Sequence, residues 1–316
     1  MDLATARHEF GEHGCINMSI EASATFTVTK PVIMPKFCTD ELVPEQGSFI
    51  YSRHFNPTVL NLNCCIPASR MATISTVLMQ LCSSRGHVVA SGCLYGGTQA
   101  LLNHFLPRFC NITTTFVDLR AHEMVKDAIV EGRTTVFYLD SMSNPTLIIA
   151  NLPELCRIAH DKGVKVVVDN TFTPMILSPA RLGADIIVHS LTKYISGGAD
   201  VIAGTMKKLR LKVIYLGLEE HPDQSLLKSM ANENYGFGGI LCLDMETEEK
   251  ANQLMNHLLG YHATLMSCSG SSTSSEMNAE EKEMADISPG LIRMSIGYSG
   301  TLEQKWTQFE KALAQI

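Results

Sequence analysis

From residue 86 onward the apolar positions alternate between two spacings. GHVVAS (86–91), TTFVDL (114–119), TVFYLD (135–140), VKVVVDN (164–170) and ADIIVHS (184–190) are short, valine- and isoleucine-rich runs of strand length. The stretches between them carry helical spacing. Residues 98–107 place Ala100, Leu101 and Leu102 ahead of His104. AHEMVKDAIVEG (121–132) sets Met124, Ala128 and Ile129 on one face and stops at a glycine. LPELCRIAHDKG (152–163) has Pro153 in its first turn and Gly163 at its end. Strand and helix alternating at this interval predict an α/β fold with a mostly parallel sheet.

The pattern changes near Gly204. MKKLRLKVIYLG is basic and then apolar, and LCLDMETEEKANQLMNHLLG offers a strand followed by a charged helix. SCSGSSTSSEMNAEEKEMA (267–285) is polar and serine-rich, which predicts a loop or exposed segment. GLIRMSIGY (290–298) alternates as a strand, and TLEQKWTQFEKALAQI closes as an amphipathic helix. The expected organisation is an N-terminal arm over 1–60, a large domain over 61–205 and a small C-terminal α/β domain over 206–316.

Composition narrows the function classes. Apolar residues make up 45% and charged residues 18% of 316, the balance of a globular chain. A net charge of −7 argues against a nucleic-acid partner, which demands a basic face. The ten cysteines include no C-x-x-C pair, so they are expected to be buried small hydrophobes of a reducing compartment, with no metal site. The opening MDLATARHEFGEHG lacks the apolar core of a secretory leader, and no run is long enough to span a bilayer. A cytoplasmic location, with no membrane partner, is expected.

Ligands of open parallel sheets bind beyond the carboxyl ends of the strands. Two predicted strands end in chemically useful groups: one at Asp169, the other running into His189, Ser190, Leu191, Thr192 and Lys193. Both ends therefore lie at the same edge. A lysine amine and a carboxylate so placed are what pyridoxal 5′-phosphate (PLP) requires, the amine for its aldehyde and the carboxylate for its pyridine nitrogen. Ser190 and Thr192 could supply hydroxyls to the phosphate. Ser190-x-x-Lys193 also fits the S-x-x-K pattern of penicillin-binding enzymes, but the S-D-N and K-T-G strings that accompany it do not occur.

DNTF (169–172), ADIIVHSLTKY (184–194), ISGGADVIAG (195–204), YSRHFNPT (51–58), LYGGT (94–98), SNPT (143–146) and RMSIGY (293–298) together resemble the Cys/Met-metabolism PLP-dependent enzymes, in the family's order. SRHFNPTVLNL and LMSCSGSSTSSE are most similar to the plant methionine γ-lyase branch. The resemblance implies a PLP-dependent transferase-like fold of type I. It implies a carbon–sulfur lyase acting on a small amino acid, methionine first and cystathionine chemistry (γ-synthase or lyase) as the alternative. It also implies a homo-oligomer, a dimer of dimers.

By the same resemblance, Lys193 carries the cofactor on its amine and moves protons, and Asp169 pairs with the pyridine nitrogen. Tyr95 stacks on the ring and is a candidate acid for the leaving thiol. Asn144 meets the cofactor's phenolic oxygen, and Ser190 and Thr192 hold phosphate. Tyr51 and Arg53 reach the phosphate of a neighbouring subunit, and Arg293 grips the substrate carboxylate.

The chain departs from the family pattern in several places. The phosphate loop reads Ser69-Arg70-Met71 where the family has glycine in the middle, and glycine there permits close backbone approach. Stretches present in the family are missing after Gly204 and around Leu258. A catalytically impaired, internally shortened paralogue is therefore a further alternative.

Overall fold

The computed structural model describes residues 67–82, 84–195, 212–258, 265–272, 274, 277–295 and 302–313. The expected arm over 1–60 lies outside them. Residues 69–316 form one compact unit.

Among the described residues, five parallel strands form one sheet: β1 (His87–Ser91), β2 (Thr113–Val117), β3 (Thr134–Asp140), β4 (Lys165–Asp169) and β5 (Ile186–Val188). Their order is β2-β1-β3-β4-β5. Each predicted strand is present; β1, β4 and β5 are shorter by one or two residues at an end, whereas β2 and β3 each begin one residue earlier than expected. The near-continuous apolar runs have a simple cause, because both faces of the sheet are covered. Val89, Phe137, Leu139, Val166 and Val168 project to one side. Val88, Ala90, Val136, Tyr138, Val167 and Val188 project to the other.

The second face is covered by helix α1 (Arg70–Leu81) through Ile74 and Leu78, and by a π-helix (Leu101–Cys110) through Leu101, Leu102 and Leu106. That π-helix continues the short α2 (Gly96–Ala100) and contains Pro107. The predicted helix over 98–107 is thus present but differently wound. Helices α3 (His122–Ala128) and α4 (Leu152–His160) cover the first face through Val125, Leu152, Leu155 and Ala159. Just after α4, Gly163 adopts φ +69, the left-handed conformation that glycine reaches without steric cost.

Helix α1 was not predicted, since Thr73, Ile74, Thr76 and Val77 are weak helix formers. Its start is fixed by Ser69, whose Oγ accepts from the Ala72 amide at 3.1 Å, and its stability by Ile74 and Leu78, fully buried and four residues apart.

A second sheet contains β6 (Lys212–Ile214), β7 (Ile240–Asp244), β8 (Leu265–Cys268) and β9 (Leu291–Ser295), antiparallel in the order β6-β7-β9-β8. Helix α5 (Gln224–Met230) precedes β7, and α6 (Glu248–Leu258) and α8 (Leu302–Leu313) accompany this sheet. Leu241, Leu243, Ile292 and Met294 pack with Ala251, Leu254, Phe309 and Ala312. The alternate positions Ile240, Cys242 and Leu291 join the core of the first sheet. The period of two along β7 therefore knits the two sheets together.

The segment expected to be a loop or exposed, 267–285, is exposed over much of its length but not all loop. It holds the end of β8 and the exposed helix α7 (Ala279–Met284). Asn278 and Glu281 form a reciprocal capping box there, which outweighs the serine-rich composition around it.

Candidate active site

In a sheet ordered β2-β1-β3-β4-β5, the chain reverses direction between β1 and β3, and a crevice opens at their carboxyl ends. Tyr95 lies in the turn after β1 and serves as the N-cap of α2. Asp140 ends β3 and Asp169 ends β4, and the two are register partners. Both carboxylates are buried, and Tyr138, fully buried beneath them, donates its hydroxyl to Asp169 Oδ2 at 3.3 Å.

Asp169 is held from its other side as well. Its Oδ1 accepts from the Thr171 amide at 3.0 Å and the Thr171 hydroxyl at 2.5 Å. Thr171 Oγ1 in turn accepts from the Ser190 amide at 2.8 Å, and His189 Nδ1 lies 3.1 Å from the Asn170 carbonyl. The segment leaving β5 is thereby tied to the turn leaving β4. It leads through buried Ser190 into a single turn, Leu191–Ile195, interrupted at Lys193 by non-helical backbone (φ −96, ψ −114). Lys193 is exposed at the same edge as Asp169.

Arg70, the first residue of α1, enters this crevice. Its Nε donates to Asp169 Oδ2 at 2.6 Å, and its guanidinium carbon lies 4.5 Å from the centre of the Tyr95 ring. Burial opposes the charge on Arg70, but the Asp169 and Asp140 carboxylates overcome it and hold the guanidinium above its usual range. Burial, and then the Asp169 charge, push the Asp140 carboxyl up; Arg70 and the Tyr95 amide pull the other way. Gly97 fixes the ring of Tyr95, since a Cβ there would stand 2.8 Å from Tyr95 Cε1 and 3.3 Å from Met71 Sδ.

At the other end of the cleft, Arg293 of β9 donates Nη1 to buried Asn144 Oδ1 at 3.2 Å, and its guanidinium lies 6.0 Å from the Phe172 ring centre. Its register partner Cys242 donates Sγ–H to the Pro145 carbonyl at 3.0 Å, so this part of the second sheet is seated on the 144–145 turn, whose peptide bond is cis. Arg293 Nε and Asp140 Oδ1 are buried without hydrogen-bond partners. Burial lowers the Arg293 pKa, with Cys242, Tyr194 and Tyr95 acting in the opposite sense.

Tyr95, Asn144, Asp169, Ser190, Lys193 and Arg293 are thus gathered at one edge, and Ser69, Arg70 and Met71 form the helix start above it. Tyr51 and Arg53 lie outside the described residues, as does the side chain of Thr192. Asp140 was not singled out from the sequence, although TVFYLD ends in aspartate just as VKVVVDN carries one. The contact of Arg70 with Asp169 was also unforeseen.

The chain matches the Cys/Met metabolism PLP-dependent enzyme family over residues 3–211. It is 52% identical to the methionine γ-lyase of Arabidopsis thaliana, over 99% of this chain and 90% of that protein. This chain belongs to the Cys/Met metabolism PLP-dependent enzymes. An L-methionine γ-lyase of Fusobacterium nucleatum is 32% identical over 86% of this chain and 88% of its own. Among solved structures, an O-acetylhomoserine (thiol)-lyase of Campylobacter jejuni, which contains a pyridoxyl-lysine phosphate, superposes with a TM-score of 0.84 at 21% identity, covering 98% of this chain and 99% of that one. The fold is accordingly the type I fold of PLP-dependent transferases. The Arabidopsis alignment runs over 395 positions against a chain of 316 residues, so it opens long gaps on this chain's side.

The cofactor of this family member is PLP, and the donor set at the crevice fits it. A buried carboxylate suits a pyridine N–H, an aromatic face suits the ring, and the start of the twelve-residue α1 suits a phosphate. Arg293 Nε, a buried donor with no partner, suits a substrate anion. Among the described residues no helix is long and apolar enough to cross a membrane.

Proposed function

We propose that this chain is a PLP-dependent carbon–sulfur lyase that converts L-methionine and water into methanethiol, 2-oxobutanoate and ammonia. The observation that carries this reading is the 52% identity to the Arabidopsis methionine γ-lyase. Asp169, next to the β5 exit that leads to Lys193, is consistent with it.

PLP, when bound, supplies an electron sink for the carbanion at the substrate's α-carbon. Asp169, anchored by Thr171 and Tyr138, keeps a proton on the pyridine nitrogen. Lys193 would hold the cofactor through its amine and would be the base that moves protons between the α, β and γ carbons. Tyr95 would stack on the cofactor ring and would give its hydroxyl proton to the departing thiolate. Arg293 presents a planar fork to the α-carboxylate. Asn144 orients Arg293 from the opposite sheet. By the family resemblance, Ser69, Met71, Ser190 and Thr192 would hold the phosphate.

The decisive experiment is spectroscopic. Purified protein with added PLP develops the visible absorbance of lysine-bound cofactor and releases thiol from methionine, and Lys193→Ala abolishes both. Retention of that absorbance in the variant rules out the assignment. Cystathionine chemistry is the second reading, favoured by 28% identity to a cystathionine β-lyase and 29% to a cystathionine γ-lyase of Bacillus subtilis. Comparing thiol release from methionine with turnover of cystathionine separates the two. Impaired catalysis is the third, favoured by the alignment gaps and by Arg70.

We read the chain as an arm over 1–60, a cofactor domain over 61–205 and a small domain over 206–316. The same reading makes it a cytoplasmic dimer of dimers, with Tyr51 and Arg53 completing a neighbour's phosphate site. Sedimentation measures the oligomer, and Tyr51→Phe with Arg53→Ala tests the shared site through loss of PLP affinity.

A further inference from the structure

The crevice already holds a flat cation. The Arg70 guanidinium lies over the Tyr95 ring at 4.5 Å and places Nε and Nη2 each 2.6 Å from Asp169 Oδ2. Its Nη2 stands 3.9 Å from Asp140 Oδ1. The arginine side chain is 12% exposed and its Asp169 partner 1%. A planar positive group, with its face on an aromatic ring and its N–H on a buried carboxylate, satisfies the same two contacts that a protonated aromatic nitrogen heterocycle needs. A small cavity lined by Arg70, Asp140, Asn144, Asp169 and Phe172 borders the guanidinium. Guanidinium and heterocycle cannot occupy this place together.

We propose that Arg70 is a built-in occupant of the pyridine site, so that PLP binds only after the arginine side chain has swung away from Tyr95 and Asp169. The proposal rests on the cofactor reading given above and adds to it a competitor within the chain. Arg70 is the first residue of α1, and its N–H has no intrahelical acceptor to lose. Its exit therefore needs side-chain rotation and no unwinding. When a site is competent in only a fraction of molecules, apparent affinity falls by that fraction. The glycine found in the family at this position has no side chain to compete.

The test is a PLP titration of cofactor-free protein, followed by the absorbance of lysine-bound cofactor, in the wild type, Arg70→Gln, Arg70→Gly and Arg70→Lys. Thermal melts without cofactor run alongside. Arg70→Gln and Arg70→Gly are expected to lower the Kd for PLP by about ten- to a hundredfold. Both are expected to melt earlier than the wild type without cofactor, because Asp169 loses its cation. Arg70→Lys keeps the charge without the flat face and falls between. Arg70→Gln preserves length and helix propensity, so it carries the test if Arg70→Gly does not fold. Equal or weaker PLP binding by Arg70→Gln, with the absorbance intact, overturns the proposal and leaves the cofactor reading standing. Absence of a Lys193-dependent absorbance in every variant overturns both.

Discussion

Asp140 and Asp169 face each other as the last register pair of two adjacent parallel strands, and a single guanidinium, that of Arg70, serves them both. Burial and the Asp169 charge push the Asp140 carboxyl from its ordinary 3.8 up to about 8. The folded chain therefore holds a proton here that the unfolded chain has released, and the associated stability is complete below 3.8 and lost as pH rises through about 8. Asp140→Asn, which cannot ionise, is expected to melt higher than the wild type at about pH 8, with the difference closing toward about pH 5. Parallel melting curves for the two proteins across that range would refute the assignment.

Asp185 behaves in the opposite sense. Burial alone would raise its carboxyl, but Lys165, the Val166 amide and His160 bring it down to about 2. Its contribution is present above the ordinary 3.8 and vanishes as pH falls through about 2. Lys165 is 61% exposed, so screening keeps the ion-pair share to about 1 kcal/mol or less. Asp185→Asn is expected to lower stability at neutral pH and to flatten the acid limb of the unfolding profile, read by denaturant titration at a series of pH values.

Ser69 caps α1 through its Oγ. Ser69→Ala is expected to cost about 1 kcal/mol, and Ser69→Asp to retain the cap. Chemical denaturation of the cofactor-free protein measures both. An unchanged midpoint in Ser69→Ala would mean that this helix start is satisfied by other groups.

Arg293→Lys removes the planar fork while keeping the charge. With Arg293 as the carboxylate grip, KM for the amino-acid substrate rises by about tenfold or more while the Kd for PLP stays within about twofold. A fall in kcat with unaltered KM would place the arginine in a different role.

The strands and the edge they share were legible in the sequence because they are local patterns. A valine run ending at Asp169 and another passing into Ser190 and Lys193 announce their geometry within a few residues. Asp140 carries the same signal on TVFYLD, but nothing local says that its strand lies next to that of Asp169. Helix α1 was hidden because its β-branched residues disfavour the state that burial of Ile74 and Leu78 imposes. Helix α7 was masked by serines, although Asn278 and Glu281 spell its start. The pairing of Arg70 with Asp169 spans 99 positions of sequence, and no periodicity reports a contact of that kind.

The bond from Arg293 to Asn144 crosses from one sheet to the other. Nη1 is spent on that bond but Nε is not, so an incoming carboxylate can be met without releasing the amide oxygen. The side chain that would take the substrate is the same one that clasps the two sheets together.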